Sequence, residues 1–285
     1  LTDEQFRQQI TKNIKDKVAL KPFWDNFDTL KDFTRQQQIE PVLNKLRQFT
    51  LRPGLRNVLG QAKPKFSLTD LFYQRKIVLV PLNKGIIGGE CARLLGSLIV
   101  GLTWTLALSR AKLPPEKRHI VAVYIDELQD YLSLPTDLSD ALAQARGLGL
   151  SLTLAHQYRD QLPANIRAGI DANALNKIVF GLNATDAKAV AAMAPELTAE
   201  DFMRLPRYQV YASLQAGGKA TGWIRGKTLP LEKAIRMPAE LKAVSQKRFG
   251  KPAAEVEQEY LSVINGAAAA PAEAPDAPIG RRKRC

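Results

Sequence analysis

The 285-residue chain has few of the residues that build metal and redox sites. It contains two cysteines, Cys91 and Cys285, and two histidines, His119 and His156. Their spacing matches neither a zinc site nor a disulfide framework. The composition therefore disfavours a zinc protein and a disulfide-stabilised secreted domain, and it favours a reducing cytoplasm.

The sequence also lacks the phosphate-binding loop G-x-x-x-x-G-K-[ST]. The nearest glycine cluster, residues 84–89 (KGIIGG), has the wrong order, with no Lys-Ser or Lys-Thr after the glycine. Because the backbone cradle and the phosphate lysine are absent, we expect these 285 residues alone to bind ATP poorly. No signal peptide follows Leu1, and since the first residue is not Met, we expect further residues upstream.

Positive charge is in excess: 41 Lys and Arg stand against 28 Asp and Glu, a net charge of +13. Four of the positive charges cluster in the tail at 281–284. A basic surface attracts polyanions such as DNA, RNA or anionic lipid. Many soluble proteins are also basic, so charge alone leaves both interpretations open.

Residues 1–50 have a helical pattern. Aromatic and apolar side chains recur at helical spacing and predict one apolar stripe, namely Phe23, Trp24, Phe27, Leu30 and Phe33. We interpret the aromatics as core residues rather than as a base-stacking platform. Pro41 is predicted to start a second helix, which Arg52-Pro53-Gly54 ends.

From residue 76 onward, apolar strands alternate with helices. The predicted strands cover 76–82, 119–125, 150–155 and 177–182, the helices cover 94–111, 137–147, 164–174 and 186–193, and a hairpin closes around Gly217-Gly218. The first strand reads as buried on both faces. The stretch 94–111 is apolar enough to suggest a membrane span, but we interpret it as a buried helix. Alternation of this kind predicts an α/β fold with a largely parallel sheet.

Two adjacent carboxylates, Asp126 and Glu127, end the strand VAVYI. The carboxyl ends of parallel strands face the ligand crevice of such a sheet. A carboxylate there can hold the water shell of a Mg²⁺ ion bound to nucleotide phosphates, and the neighbouring Glu can activate a water. The alternative is that the acids cap the following helix.

The next predicted strand ends in His156 and Gln157, 31 residues after Asp126 by the numbering. One strand-helix-strand unit fills that interval, so the two strand ends can be neighbours. An amide at this point can contact both an attacking water and a γ-phosphate. The alternative is a polar residue that merely closes a strand.

Together these segments resemble the later part of the HerA/FtsK-superfamily P-loop ATPases, specifically the TraG/TraD-like coupling proteins of conjugation and type IV secretion. The segments that carry the resemblance are PVLNKLRQF, KIVLVPLNKGIIGGECARLLGSLIV, VYIDELQDYLSLP, LAQARGLGLSLTLAHQY, NKIVFGLNATDAKAVA and SQKRFGKPAAEVEQEY. The resemblance implies a RecA-like core that couples ATP hydrolysis to DNA movement through a ring of six subunits. The departure is the missing phosphate-binding loop, which in such relatives lies upstream, and it implies a C-terminal fragment.

The resemblance also assigns roles to residues. Asp126 corresponds to the magnesium-coordinating acid, Glu127 to the catalytic base and Gln157 to the sensor that contacts nucleotide. Arg146 matches an arginine that often precedes the sensor strand, where it would contact phosphate or a neighbouring subunit, or would simply be a surface or packing residue. The implied cofactors are ATP and Mg²⁺.

The implied organisation is a helical segment (1–60), the later part of the ATPase core (61–230), a helical appendage (231–265) and a disordered tail (266–285). The implied partners are DNA, a homo-hexamer and type IV secretion channel or relaxosome proteins. We expect a location in the cytoplasm or at the inner face of the cell membrane, with any membrane attachment through a region upstream. Two alternatives remain. One is a non-catalytic DNA- or partner-binding module that retains the motor fold. The other is a helicase fragment, which is disfavoured because the strand after DELQD lacks the Ser-Ala-Thr motif of helicases.

Overall fold

The structure, a computed structural model, describes residues 1–61, 63–132 and 138–264, with only the backbone at 138–139 and 263–264. The expected disordered tail lies outside the described residues. The chain divides into two compact units, Leu1–Gln61 and Ala62–Cys285. Each is described separately below.

The first unit consists of helices, as predicted. They are α1 (Glu4–Thr11), α2 (Leu20–Thr29), α3 (Asp32–Thr50) and α4 (Pro53–Leu59). Asp3 caps α1 by accepting a hydrogen bond from the backbone N–H of Phe6 at 2.8 Å. Phe27 is buried, and the guanidinium groups of Arg7 and Arg35 lie 5.2 and 5.8 Å from its ring centroid.

Two predictions for this unit are wrong in detail. Pro41 lies inside α3 rather than at a helix start, because strong helix formers on both sides let a 19-residue helix tolerate one missing N–H. The aromatic stripe is only partly core, since Phe23 is 57% and Phe33 72% exposed. Phe27 of the stripe is buried, and Trp24 and Leu30 are half-buried.

The second unit alternates helices and strands, which confirms the α/β fold class. Its elements are α5 (Thr69–Tyr73), α6 (Lys84–Ile87), α7 (Gly89–Ser109), β1 (Val121–Ile125), α8 (Leu138–Ala145), β2 (Leu150–Leu154), α9 (Ala164–Asn173), β3 (Lys177–Val179), α10 (Ala184–Ala191), α11 (Ala199–Met203), β4 (Gln209–Ala216), β5 (Lys219–Lys227), α12 (Pro238–Phe249) and α13 (Ala253–Ile264).

The strands of this unit form two sheets. β1 and β2 are parallel, with Val121 opposite Leu150 and Ile125 opposite Leu154. β3, β4 and β5 form an antiparallel sheet in that order, and β4 and β5 are the predicted hairpin. β1 and β2 thus have the parallel arrangement that the alternation predicted. β3 instead pairs with β4 of the hairpin and belongs to the antiparallel sheet.

The core of the parallel pair lies on one face of its two strands. Val121 and Ile125 of β1, Leu150 of β2, and Trp104 and Ala107 of α7 are buried there together. Alternate side chains of β1 point away, and Ile120 and Tyr124 are 79% and 76% exposed. One face of the pair is therefore buried and the other is open.

A buried arginine fixes the amino ends of both parallel strands. Arg110 is 2% exposed and donates to the carbonyl oxygens of His119 at 2.5 Å and Gly149 at 3.3 Å. Its guanidinium also lies 5.2 Å from the centroid of the Phe72 ring. Burial lowers the pKa of Arg110 from its usual value. These contacts align the beginnings of β1 and β2.

The predicted strand at 76–82 is not a strand of either sheet. It runs in the direction of β1: Arg75 contacts the His119 ring at 3.1 Å before β1 begins, and Lys84 contacts Asp130 after β1 ends. Burial on both faces was also a wrong expectation, since Ile77 and Leu79 are 91% and 86% exposed. Continuous apolar character therefore predicted neither pairing nor burial correctly here.

The long apolar stretch forms α7 and extends through a 3-10 turn. Among the described residues, Gly89–Lys112 is the one helical segment long and apolar enough to cross a membrane by length and composition. A core helix has the same properties. Trp104 and Ala107 of this helix belong to the core of the parallel pair, in agreement with the interpretation as a packed helix.

Candidate functional site

The backbone ladder between β1 and β2 continues beyond the strand ends. The N–H of Ala155 donates to the carbonyl oxygen of Ile125 at 2.9 Å, and the N–H of Leu128 donates to the carbonyl oxygen of Ala155 at 2.9 Å. Leu128 is 1% exposed and anchors the chain in the core. The residues that follow the two strands, 126–127 and 156–157, are therefore held side by side.

The side chains of Glu127 and Gln157 are directly hydrogen-bonded. The Gln157 amide Nε2 donates to Glu127 Oε1 at 2.6 Å. The backbone N–H of Glu127 donates to Asp126 Oδ1 at 3.1 Å. Three of the four candidate residues thus lie in one solvent-accessible cluster, as the strand order predicted.

Glu127 has a backbone conformation that is unusual for its residue type. Its φ of 53° and ψ of 52° are left-handed. A non-glycine residue in this region carries a strain of roughly 1–2 kcal/mol. Such strain persists where surrounding contacts impose it, and it is concentrated at functional sites.

A second amide, which the sequence analysis missed, also contacts Glu127. Gln129 lies in the 3-10 turn Leu128–Tyr131, and its Nε2 donates to Glu127 Oε2. Both carboxylate oxygens of Glu127 therefore accept a side-chain amide. The hydrogen bond from Gln157, followed by that from Gln129, lowers the pKa of Glu127 below its usual value, and the charge of Lys84 acts in the same direction.

Lys84 and Asp130 form a charged pair beside this cluster. Lys84 Nζ lies 2.5 Å from Asp130 Oδ2, and Arg93 Nε lies 3.8 Å from Asp130 Oδ1. The Asp130 side chain is 9% exposed. The hydrogen bond to Asp130 raises the pKa of Lys84. The pair connects the first residue of α6 to the turn after β1, and the third acid of DELQD was the available sequence clue.

Arg146 does not join the cluster within one chain. It is exposed and lies in the 3-10 turn before β2, whereas Gln157 lies beyond the other end of that strand. Five extended residues separate the two ends by on the order of 15 Å. Arg146 therefore cannot reach a phosphate held at Glu127 of the same chain through a direct contact.

The cluster fits one mode of magnesium binding better than another. Among residues 1–61, 63–132 and 138–264, no group of three or more His, Cys, Asp or Glu side chains could hold a metal ion. Mg²⁺ is commonly held by one or two carboxylates, waters and substrate phosphates. Asp126, an exposed carboxylate, fits that mode. The glycine cluster at 84–89 is divided between the four-residue α6, which Asn83 caps, and the first residue of α7, so it is not a single glycine-rich loop.

The described parts of the second unit also contain an open polar pocket of about 230 Å³ on the antiparallel sheet. Its lining residues are Thr198, Glu200, Asp201, Arg204, Tyr211 and Arg225. Thr198 and Asp201 are already occupied in capping α11. The pocket is separate from the Glu127 cluster in its lining residues, and none of the predicted site residues borders it.

No protein-family model matches the sequence, and no curated protein matches it significantly. Among solved structures, the chain is similar to the bacterial conjugative coupling protein TrwBdeltaN70 in its unbound monoclinic form, with 22% identity and a TM-score of 0.44. It is similar at 23% identity and a TM-score of 0.44 to the plasmid coupling protein TrwB in complex with ADP and Mg²⁺. Each similarity covers 53% of this chain and 40% of the other, so the chain spans about two fifths of the length of these proteins.

Proposed function

We propose that residues 61–230 are the later part of the ATPase core of a hexameric motor that moves DNA in conjugation or type IV secretion. One observation carries the proposal: at the carboxyl ends of two parallel strands, Gln157 donates to Glu127 at 2.6 Å, beside Asp126. The resemblance of the DELQD and LAHQ segments to coupling proteins supports it. The proposal requires a phosphate-binding loop, which these 285 residues do not contain.

The three clustered residues suit three different tasks in ATP hydrolysis. Asp126 would hold Mg²⁺ through a water, and the bound Mg-ATP supplies the electrophilic phosphorus. Glu127 would accept a proton from the attacking water, as the carboxylate at the strand end nearest that water. Gln157 would contact the γ-phosphate, and its hydrogen bond to Glu127 supports this role.

Arg146 requires a different explanation from the other three. Its exposed position at the amino end of β2 leaves two possibilities, a contact with a neighbouring subunit or a surface role. In a ring, an arginine of one subunit can approach the nucleotide of the next. We therefore propose that Arg146 contacts the nucleotide of a neighbouring subunit.

The net charge of +13 supports DNA as the polyanionic partner. The same proposal includes secretion-channel or relaxosome proteins as partners. It also includes a helical appendage at 231–265 and a location at the inner face of the membrane. The organisation into a helical segment at 1–60 and the core that follows it belongs to the proposal as well.

The test uses the complete gene product and measures ATP hydrolysis with and without DNA. We expect DNA to stimulate hydrolysis, and we expect Glu127→Gln to reduce kcat by about 100-fold or more while a fluorescent ATP analogue still binds. Glu116→Gln, an exposed acid before β1, serves as the matched control and should retain full activity. Retained turnover in Glu127→Gln would exclude the catalytic role.

The second candidate is a non-catalytic module that binds DNA or a protein partner. The observation that favours it is that the nearest glycine cluster, at 84–89, is divided between α6 and the start of α7 and is not a single phosphate-binding loop. It predicts DNA binding with a steep salt dependence and no binding of the ATP analogue by the complete gene product. The same two measurements therefore separate the candidates.

A further inference from the structure

Glu127 is held from two sides by amides that differ in their freedom to move. Gln157 is exposed and follows the last residues of β2, while Gln129 is half-buried in the turn after β1. Each donates to a different oxygen of the same carboxylate. This duplication needs an explanation, because a single amide is sufficient to orient a carboxylate.

The backbone around Gln129 is fixed by contacts on both sides of it. Leu128 precedes it in the core with 1% exposure, and Asp130 follows it, buried and paired with Lys84. The N–H of Asp130 donates to the carbonyl oxygen of Glu127 at 3.0 Å, which closes the turn. The backbone position of Gln129 is therefore fixed, and from this position its side chain donates a hydrogen bond to Glu127.

Tyr131 adds a further restraint to the same turn. Its ring lies so close to Gly96 of α7 that an added Cβ at Gly96 would come within 2.3 and 2.4 Å of ring carbons. Such contact is possible only where α7 carries a glycine. The turn thus contacts Ala155 after β2, Lys84, and Gly96 of α7.

The orientation of the Gln129 amide follows from chemistry. An ionised carboxylate only accepts hydrogen bonds, so Gln129 must present its Nε2 to Glu127. Its Oε1 then faces inward, where it is buried without a hydrogen-bond partner among the described residues.

We propose that Gln129 is a positioning residue that keeps Glu127 in its reactive orientation when Gln157 leaves it to contact the nucleotide. The exposed amide exchanges partners, and the half-buried amide stays. Sensing by Gln157 and positioning by Gln129 are then separate tasks on one carboxylate. The catalytic consequence rests on the proposed function, whereas the hydrogen-bond arrangement does not.

The first experiment records the side-chain amide signals of Gln129 and Gln157 in ¹H–¹⁵N NMR spectra of this chain, without nucleotide. Glu127→Met, which removes both acceptor oxygens, should shift both pairs of signals. Gln157→Met should leave the Gln129 signals at their wild-type positions, because Gln129 still donates to the Glu127 carboxylate. Gln258→Met, at an exposed position of α13, is the matched control and should change neither pair.

Unchanged Gln129 signals in Glu127→Met would overturn the proposal, as would the loss of the Gln129 contact in Gln157→Met. The second variant retains Glu127, so it remains informative if Glu127→Met does not fold. Both measurements are independent of ATP hydrolysis, so their failure is distinguishable from failure of the proposed function.

The second experiment measures the kinetic split in the complete gene product. Gln129→Met should lower kcat for ATP about tenfold with an unchanged KM, because the base is misplaced while nucleotide contacts remain. Gln129→Asn, whose shorter amide cannot reach Glu127, should behave in the same way. A change in KM alone, or full activity in both variants, would show that Gln129 does not position Glu127.

Discussion

The parallel pair β1–β2 and the antiparallel sheet β3–β4–β5 use similar polar residues in different ways. In the antiparallel region they serve as helix caps: the Asn183 side chain accepts from the N–H of Asp186 at 2.9 Å, and Thr198 and Asp201 form a capping box. After β1 they converge on Glu127, on a left-handed backbone and with a buried unpaired carbonyl on Gln129. Polar residues that cap helices satisfy the backbone and stabilise the fold, whereas the polar side chains after β1 and β2 converge on one carboxylate and form a candidate site.

The largest expected effect concerns the antiparallel region. Phe202 is 0% exposed and makes edge-to-face contacts with Tyr211 and Trp223, at ring-centroid distances of 5.3 and 5.6 Å. Phe202→Ala should lower the free energy of unfolding by roughly 3–5 kcal/mol. Urea unfolding followed by tryptophan fluorescence measures it.

Phe180→Ala is the matched control, since Phe180 directly follows β3 but is 52% exposed. It should change the stability by less than about 1 kcal/mol. If the two substitutions destabilised the chain equally, the assignment of the core in this region would be wrong.

The second-largest expected effect concerns α7, which packs on the turn after β1. Gly96→Ala should destabilise the chain by about 1–3 kcal/mol, because the new Cβ would overlap the Tyr131 ring. It should also disturb the turn that carries Gln129. Chemical denaturation and the Gln129 side-chain NMR signals report the two consequences.

Gly89→Ala provides the control within the same helix, since an added Cβ there meets nothing within 4 Å. Its stability should equal that of the wild type or exceed it slightly. A neutral Gly96→Ala would contradict the close packing of α7 on the turn.

A smaller effect tests the capping box and its pH dependence. Hydrogen bonds from the Thr198 side chain and backbone lower the pKa of Asp201. Because Thr198 is the N-cap of α11, Thr198→Ala should lower the free energy of unfolding by about 1 kcal/mol at neutral pH.

The sign of the pH dependence follows from the lowered pKa. A carboxyl group with a depressed pKa in the folded state contributes stability above its unfolded pKa, and this contribution is lost as the pH falls through the folded pKa. The difference between Thr198→Ala and the wild type should thus shrink on acidification below the ordinary Asp range. Denaturation curves at neutral and acidic pH test this, and a difference that grew in acid would refute it.

The smallest expected effect is a gain. Glu127→Gly relieves the left-handed strain and should leave stability unchanged or raise it by up to about 1 kcal/mol, even though two side-chain hydrogen bonds are lost. Thermal unfolding measures it. A clear loss of stability would mean that Glu127 is there for structure, like the caps of the antiparallel region.

Much of this architecture was predictable from the sequence, because local patterns determine it. Apolar runs located β1, β2 and the hairpin, and the position of polar residues after two strands brought Glu127 and Gln157 together. The pattern failed at 76–82, where an apolar run predicts extended backbone but pairing depends on neighbours. It also failed at Pro41, because a long helix tolerates one lost hydrogen bond.

Gln129 and Lys84 could not be assigned from the sequence for a different reason. Their contacts depend on the φ of Glu127 and on the course of a 3-10 turn, which no periodicity encodes. Arg146 shows the converse: its place in the sequence suggested a site residue, and five residues of strand separate it from the cluster. Spacing predicts which strand ends meet, but not which side chains touch.

The central claim is that Glu127 and Gln157 act as one unit, and a double-mutant cycle on ATP hydrolysis tests it most directly. The rates of Glu127→Gln, Gln157→Leu and the double variant of the complete gene product are compared with the wild type. We predict a double variant no slower than the slower single variant, because removing either partner already disables the unit. Losses that simply multiply would show two independent residues and contradict the account.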